Sequence, residues 1–160
     1  MAYVIRSPGA GWQPIATTDT TQRHALGTIV TATDPTYGGG EFIYLKGIGS
    51  TIVGSGVVYN DSYTTALASI TLNIPNPVAI AMSANVANQY GWYQIAGRAV
   101  VAKGTSVAFN KGVAIGITSG LAVAAASGLV LDGAAVAASV LSAATTVTVM
   151  INRPSGPSSD

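Results

Sequence analysis

Charge is nearly absent from most of this chain. Residues 62–97 contain no Asp, Glu, Lys or Arg, and neither do residues 112–131 or 133–152. Only 8% of the chain is charged, against about 25% in an ordinary soluble domain. Such a protein cannot rely on a charged surface for solubility. The uncharged stretches are built from Ala, Val, Ile, Ser and Thr, cut by single glycines. That texture predicts short strands with small, neutral outer faces. It suits a chain that lives in permanent contact with other protein, and suits an enzyme or a nucleic-acid binder less well.

The remaining composition narrows the choice. A chain of 160 residues fits one compact domain, or a domain of about 100 residues with an extended arm. The hydrophobic share of 49% is enough for a core, although Ala supplies much of it. Net charge is +1 and no Lys/Arg cluster occurs. Binding to a phosphate backbone needs clustered cations, so no nucleic-acid partner is expected. There are no cysteines, which excludes disulfides and Cys-based metal or nucleophilic chemistry. The N-terminus, Met1-Ala2-Tyr3-Val4-Ile5-Arg6, lacks the apolar region of a signal peptide, so synthesis in the cytoplasm is expected. Residues 112–131 and 133–151 are long enough to raise the question of a membrane span. Their Gly, Ser and Thr breaks, and the lack of aromatic belts and flanking cations, favour strands, and no membrane partner is expected.

Along the chain, residues 1–25 are polar and irregular, with no period of 2 or 3.6. They are expected to form an extended arm, ordered only against a partner. Strand candidates follow at 26–33, 41–48 and 51–60, with a turn at Asp34-Pro35-Thr36-Tyr37-Gly38-Gly39-Gly40 where proline fixes φ and glycine permits positive φ. Gly54 and Gly56 predict a bulge or a close backbone approach. Residues 61–73 are ambiguous and could start a short helix capped by Asp61 or Ser62. Ile74-Pro75-Asn76-Pro77 is the best candidate for an internal boundary. Beyond it, short strands are expected at 78–82, 92–102, 106–109, 113–117, 121–125 and 145–152. Residues 134–144 have helix-friendly composition. The fold class expected is all-β: a small barrel-like or sandwich body over 77–154, preceded by a β-containing segment over 26–76 and the arm over 1–25, and followed by a disordered tail over 155–160.

Catalytic chemistry finds little support. The single histidine, His24, lies in the arm and reads as a surface residue. A Ser–His–Asp site would need it held beside a nucleophile with Asp19 or Asp34 as orienter. The acidic residues Asp19, Asp34, Glu41, Asp61, Asp132 and Asp160 are scattered, and Asp34 and Asp61 border turns where Asp bonds the backbone. The segment from Gly49 to Ser55 has phosphate-loop glycine spacing without its lysine. No catalytic residue, cofactor or metal site is expected.

Two blocks are distinctive: Asp34-Pro35-Thr36-Tyr37-Gly38-Gly39-Gly40-Glu41-Phe42-Ile43-Tyr44-Leu45-Lys46-Gly47 and Gln89-Tyr90-Gly91-Trp92-Tyr93-Gln94-Ile95-Ala96-Gly97. With Leu26-Gly27-Thr28-Ile29-Val30, Val58-Tyr59-Asn60-Asp61, Ala81-Met82-Ser83-Ala84-Asn85-Val86-Ala87 and Ile151-Asn152-Arg153-Pro154, they give the chain a sequence style that resembles the capsid cement (head decoration) proteins of tailed bacteriophages. The resemblance spans most of residues 24–154. It implies a β-rich body on the outer surface of an icosahedral shell, made in the host cytoplasm and tying neighbouring coat subunits together, without enzymatic activity. It implies the major capsid protein as partner and self-association, trimer first and dimer second. Candidate shell contacts under this reading are Trp12, Gln13, Pro14, Tyr37, Phe42 and Tyr44.

The rival expectation is a fibre or adhesin-type domain that binds host glycan through Tyr90, Trp92, Tyr93 and Gln94. Alternation along a strand puts Trp92 and Gln94 on one face and Tyr93 and Ile95 on the other, so at least one pair is expected to face the core.

Overall fold

The computed structural model describes residues 1–69, 76–84, 87–104, 107–125 and 130–156. The protein is all-β, as expected from the sequence. Among the described residues twelve strands occur in chain order: β1 (Val4–Ile5), β2 (Thr18–Asp19), β3 (Ile29–Asp34), β4 (Gly38–Lys46), β5 (Gly56–Tyr59), β6 (Thr65–Leu67), β7 (Val78–Ala81), β8 (Tyr90–Ala102), β9 (Ile115–Thr118), β10 (Leu121–Ala124), β11 (Asp132–Val136) and β12 (Thr146–Ser155). Ten of them form one antiparallel sheet with the path β1-β3-β4-β8-β7-β5-β6, to which β2, β12 and β11 attach; β9 and β10 form a separate hairpin.

The longest strand, β8, organises the molecule. Its first half pairs with β4, Lys46 opposite Tyr90 through Gly40 opposite Gly97. Its second half pairs with β12, Asn152 opposite Ala96 through Thr146 opposite Ala102. Gly97 belongs to both ladders. Its φ is +100°, and a Cβ there would lie 2.4 Å from the Gly39 carbonyl oxygen, so only glycine fits where the two halves meet.

Successive side chains of β8 enter different cores because strand side chains alternate between faces. Trp92 packs with Tyr3, Ile15, Val30, Phe42 and Tyr44. Tyr93 and Ile95 pack on the opposite face with Ile43, Leu45, Val57, Ala79 and Ala81. Past Gly97, Ala99 and Val101 join Val147, Val149, Ile115, Ile117 and Leu131 in a third core. Sequence alternation required one aromatic face of this strand to be buried; the structure buries both.

The turn after β3 forms as its residues predict. Asp34 Oδ1 accepts the amides of Thr36 at 2.8 Å and Tyr37 at 3.0 Å. Gly54 provides the expected close approach: a Cβ would lie 2.7 Å from the Ala102 nitrogen.

Several expectations need correction. Residues 1–25 are not a free arm: β1 pairs with β3, β2 pairs with β8, and Tyr3, Gln13 and Ile15 are buried. The boundary at 74–77 divides no structural unit, because β4 and β8 pair across it, as do β5 and β7. Asp61 and Ser62 cap no helix; the Asn60 side chain accepts the amides of Ser62 and Thr64, and the chain turns into β6. The helix-friendly stretch at 134–144 contributes to β11 instead. Alanine is small enough for either state, and here Ala134, Ala135 and Val136 pair with β12. Ser155 ends β12, so the tail does not begin there; residues 157–160, like the start of the expected strand at 106–109, the end of the ambiguous stretch at 70–73 and the first half of the 74–77 boundary, lie outside the described residues.

Candidate functional site

The densest arrangement of polar and aromatic groups lies where the N-terminal segment crosses β4 and β8. Its centre is Gln13, 4% exposed. The backbone carbonyl of Gln13 accepts the Trp92 indole N–H at 2.9 Å. Its side-chain oxygen accepts the Tyr44 hydroxyl at 2.8 Å. Its side-chain amide donates to the carbonyls of Thr17 at 2.8 Å and Tyr90 at 3.1 Å. Its backbone N–H donates to His24 Nε2 at 3.1 Å. Every polar group of this residue is therefore satisfied, as burial demands.

His24 sits against Tyr44, Trp12 and Trp92, with ring centroids 5.0, 5.1 and 5.5 Å away. It is half-buried, not a surface residue, which corrects the sequence expectation. To accept from Gln13, Nε2 must be unprotonated, leaving the proton on Nδ1. Burial, and then the Arg23 guanidinium, hold its pKa below the ordinary 6.5. Arg23 forms an ion pair with Asp19, and its amide donates to the Tyr44 hydroxyl at 3.3 Å. Burial pushes the Tyr44 hydroxyl pKa up.

These contacts decide where the expected shell-contact residues lie. Gln13, Phe42 and Tyr44 are buried inside the protein's own fold, so their assignment to a surface contact is withdrawn. Trp12 is half-buried against His24 and Trp92. Pro14 is exposed and Tyr37 half-buried. Aromatic residues in an irregular segment read as available for a partner only until the segment is seen to fold back on its own sheet. Of the glycan candidates, Trp92 and Gln94 are buried on the same face and Tyr93 on the other. Tyr90 alone is half-exposed.

What the surface does offer is aliphatic. Ile52 is 55% exposed and Leu141 81% exposed, with Val53, Val113 and Met150 also open to solvent. Ile52 and Val53 project from a turn held at its base. The Ile52 amide is bonded to Ser55 Oγ at 3.0 Å, the Gly54 amide to the Ala81 carbonyl at 2.8 Å and the Ala102 amide to the Gly54 carbonyl at 2.8 Å. Only two ion pairs occur among the described residues, Arg23 with Asp19 and Arg153 with Glu41.

Two surface grooves accompany these features. One of about 280 Å³ has Arg6, Thr31, Thr33 and Glu41 around a floor of Gly40 and Gly97. Another of about 240 Å³ is lined by Tyr59, Asn60, Thr64 and Thr65. Among the described residues no group of three or more His, Cys, Asp or Glu side chains could hold a metal ion, and no helix is long and apolar enough to cross a membrane.

No known family, curated protein or solved structure matches this chain.

Proposed function

We propose that this protein is a structural component of a tailed-bacteriophage head, a cement protein that binds the outside of the shell and bridges coat subunits. The observation that carries the reading is the pairing of a multi-core β body with an outer surface of neutral, exposed aliphatic residues: Ile52, Val53, Val113, Leu141 and Met150. Contiguous exposed apolar surface marks protein contacts, and the adjacent Ile52 and Val53 are both open to solvent. The scarcity of charge in the chain and the sequence style of the blocks around Asp34 and Trp92 support the same reading. The partners are the major capsid protein and further copies of this chain, trimer first and dimer second. Contact through a free N-terminal arm is not part of the proposal, since that segment has an internal role. The glycan-binding alternative has lost its best residues, because Trp92, Tyr93 and Gln94 are inside the fold.

The test uses heads lacking the protein. Purified full-length protein added to them should co-sediment and raise the temperature at which heads rupture. An Ile52→Asp/Val53→Asp double variant should bind at least about tenfold more weakly while keeping its own thermal transition, a loss corresponding to about 1.4 kcal/mol. Failure of the wild-type protein to associate with heads would remove the proposal.

A further inference from the structure

We infer that His24 is a proton-operated release for residues 12–24: protonation of Nε2 removes the acceptor of the Gln13 N–H and unseats Gln13 from Trp92, Tyr44 and Tyr90. The inference goes beyond the proposed head-binding function and does not depend on it.

The geometry makes the histidine the weak point of the clasp. Most Gln13 contacts come from groups that do not titrate near neutral pH: the indole of Trp92, the hydroxyl of Tyr44 and the carbonyls of Thr17 and Tyr90. The contact to His24 is different, because an imidazolium is a donor at both nitrogens. Two N–H groups then face each other where one hydrogen bond stood, at 3.1 Å. Leaving a buried donor without an acceptor carries its full desolvation cost.

Among the described residues no ion pair joins a carboxylate to His24. On its own segment the charged group acting on His24 is the like-charged Arg23, whose guanidinium already engages Asp19. From β4 comes Tyr44. From β8 comes Trp92, with Tyr90 stacked beyond it on Tyr44. Trp12 also packs against the ring, 5.1 Å away between centroids. The aromatic faces attract a cation, whereas burial first and Arg23 second act the other way and lower the pKa of His24. Trp12 also contributes a weakness of its own, because its indole N–H is buried without an acceptor.

The sign follows from linkage. The folded form binds this proton less tightly than the unfolded chain, so the clasp is fully closed above the ordinary histidine pKa of 6.5. It loses stability as pH falls from there towards the lowered folded value. Within that window the opening constant of the clasp rises by up to about tenfold per pH unit. His24 is the only histidine and there is no cysteine, so no other side chain with an ordinary pKa titrates there.

The experiment is amide exchange by NMR on the full chain between pH about 7.5 and about 5, with rates corrected for intrinsic base catalysis. The amides of Gln13 and Arg23, bonded to His24 and Tyr44, should lose protection together as the His24 ring signal titrates. The amides of Tyr44 and Ala102, bonded to Thr28 and Gly54, should keep theirs. His24→Gln supplies an acceptor that does not titrate and should abolish the pH dependence. Unchanged Gln13 protection across the His24 titration in the wild-type protein would overturn the inference. So would the same loss of protection in His24→Gln. The wild-type comparison stands by itself if that variant does not fold.

Discussion

Trp92 donates its indole N–H to the backbone carbonyl of Gln13 at 2.9 Å, joining two residues 79 positions apart. The bond links the N-terminal segment to β8 near its start at Tyr90, and it makes the segment part of the core. Truncating Trp92 to Ala should cost about 3–5 kcal/mol, as for other buried aromatics. Trp92→Phe keeps most of the ring contacts and leaves the Gln13 carbonyl unpaired, so it should cost about 1–3 kcal/mol. Urea melts of the two variants check the order. Equal and negligible losses would mean the bond does not hold the segment.

Removal of residues 1–25 follows the same logic. It strips Tyr3 and Ile15 from the core around Trp92 and Phe42 and exposes that face of the sheet. The truncated protein should melt at a clearly lower temperature and aggregate more readily than the full chain. An unchanged thermal transition would show that the segment adds nothing to the fold.

Gly97 and Gly39, whose backbones approach each other closely, should differ sharply in their tolerance of a side chain. Gly97→Ala places a methyl group 2.4 Å from the Gly39 oxygen at a φ of +100°, and backbone cannot easily move aside. A loss of at least about 2 kcal/mol is expected. At Gly39 a Cβ meets nothing within 4 Å, so Gly39→Ala should change stability by less than about 0.5 kcal/mol. Differential scanning calorimetry of the pair is sufficient.

Lys103 is 5% exposed, and its ammonium donates to the carbonyls of Val107 at 2.6 Å, Ser142 at 2.9 Å and Gly104 at 3.2 Å. It therefore ties the segment after β8 to the turn before β12. Lys103→Met keeps the stem and removes the donors. It should cost about 2–3 kcal/mol, given the strength of bonds to charged groups, and should raise amide exchange around Ser142 selectively.

Acid sensitivity has a second source below the histidine range. Burial pushes the Asp34 carboxyl pKa up, but the amides of Thr36, Tyr37 and Ala2 more than offset it and hold it below the usual value. A depressed carboxylate stabilises the fold above its unfolded pKa, and that contribution is lost as pH falls through the folded value. The wild-type protein should therefore lose stability again below pH about 4. Asp34→Asn should flatten this limb and leave the His24 limb in place; an unaltered limb in Asp34→Asn would assign it to another carboxylate.

The strands with dense β-branched or aromatic composition were legible from the sequence. The positions of β3, β4, β7, β8 and β12 follow from runs such as Ile29-Val30 and Trp92-Tyr93, bounded by glycine and proline. The N-terminal segment was not legible. Its order comes from single hydrogen bonds to residues far along the chain, and irregular backbone leaves no period to detect. Thr17 and Thr18 read as part of an extended arm although the Thr17 hydroxyl donates to the Pro14 carbonyl and Thr18 pairs with Gly91. The role of His24 was hidden for the same reason: only folding brings Trp12, Tyr44 and Trp92 around it. At β11 the signal itself was weak, because Ala134 and Ala135 have no strand preference and take their conformation from Met150 and Ile151 opposite them.

Salt separates the apolar contact proposed here from an electrostatic one. With so few charges, attachment to a shell should persist in about 1 M NaCl, where exposed ion pairs are screened. Release at that concentration would count against contact through Ile52, Val53 and Leu141.

Self-association is best tested on the full chain, because β4 and β8 belong to one sheet. Native mass spectrometry should show a symmetric oligomer, trimer before dimer, at concentrations of about 10 μM. A clean monomer would confine the contacts to the shell surface.

The most direct test of the central proposal is quantitative mass spectrometry of purified virions, with heads and tails separated. A cement protein should be found in the head fraction, in fixed proportion to the major capsid protein and accessible to surface labelling on intact heads. Its absence from heads, or its presence only in tail fractions, would contradict the account.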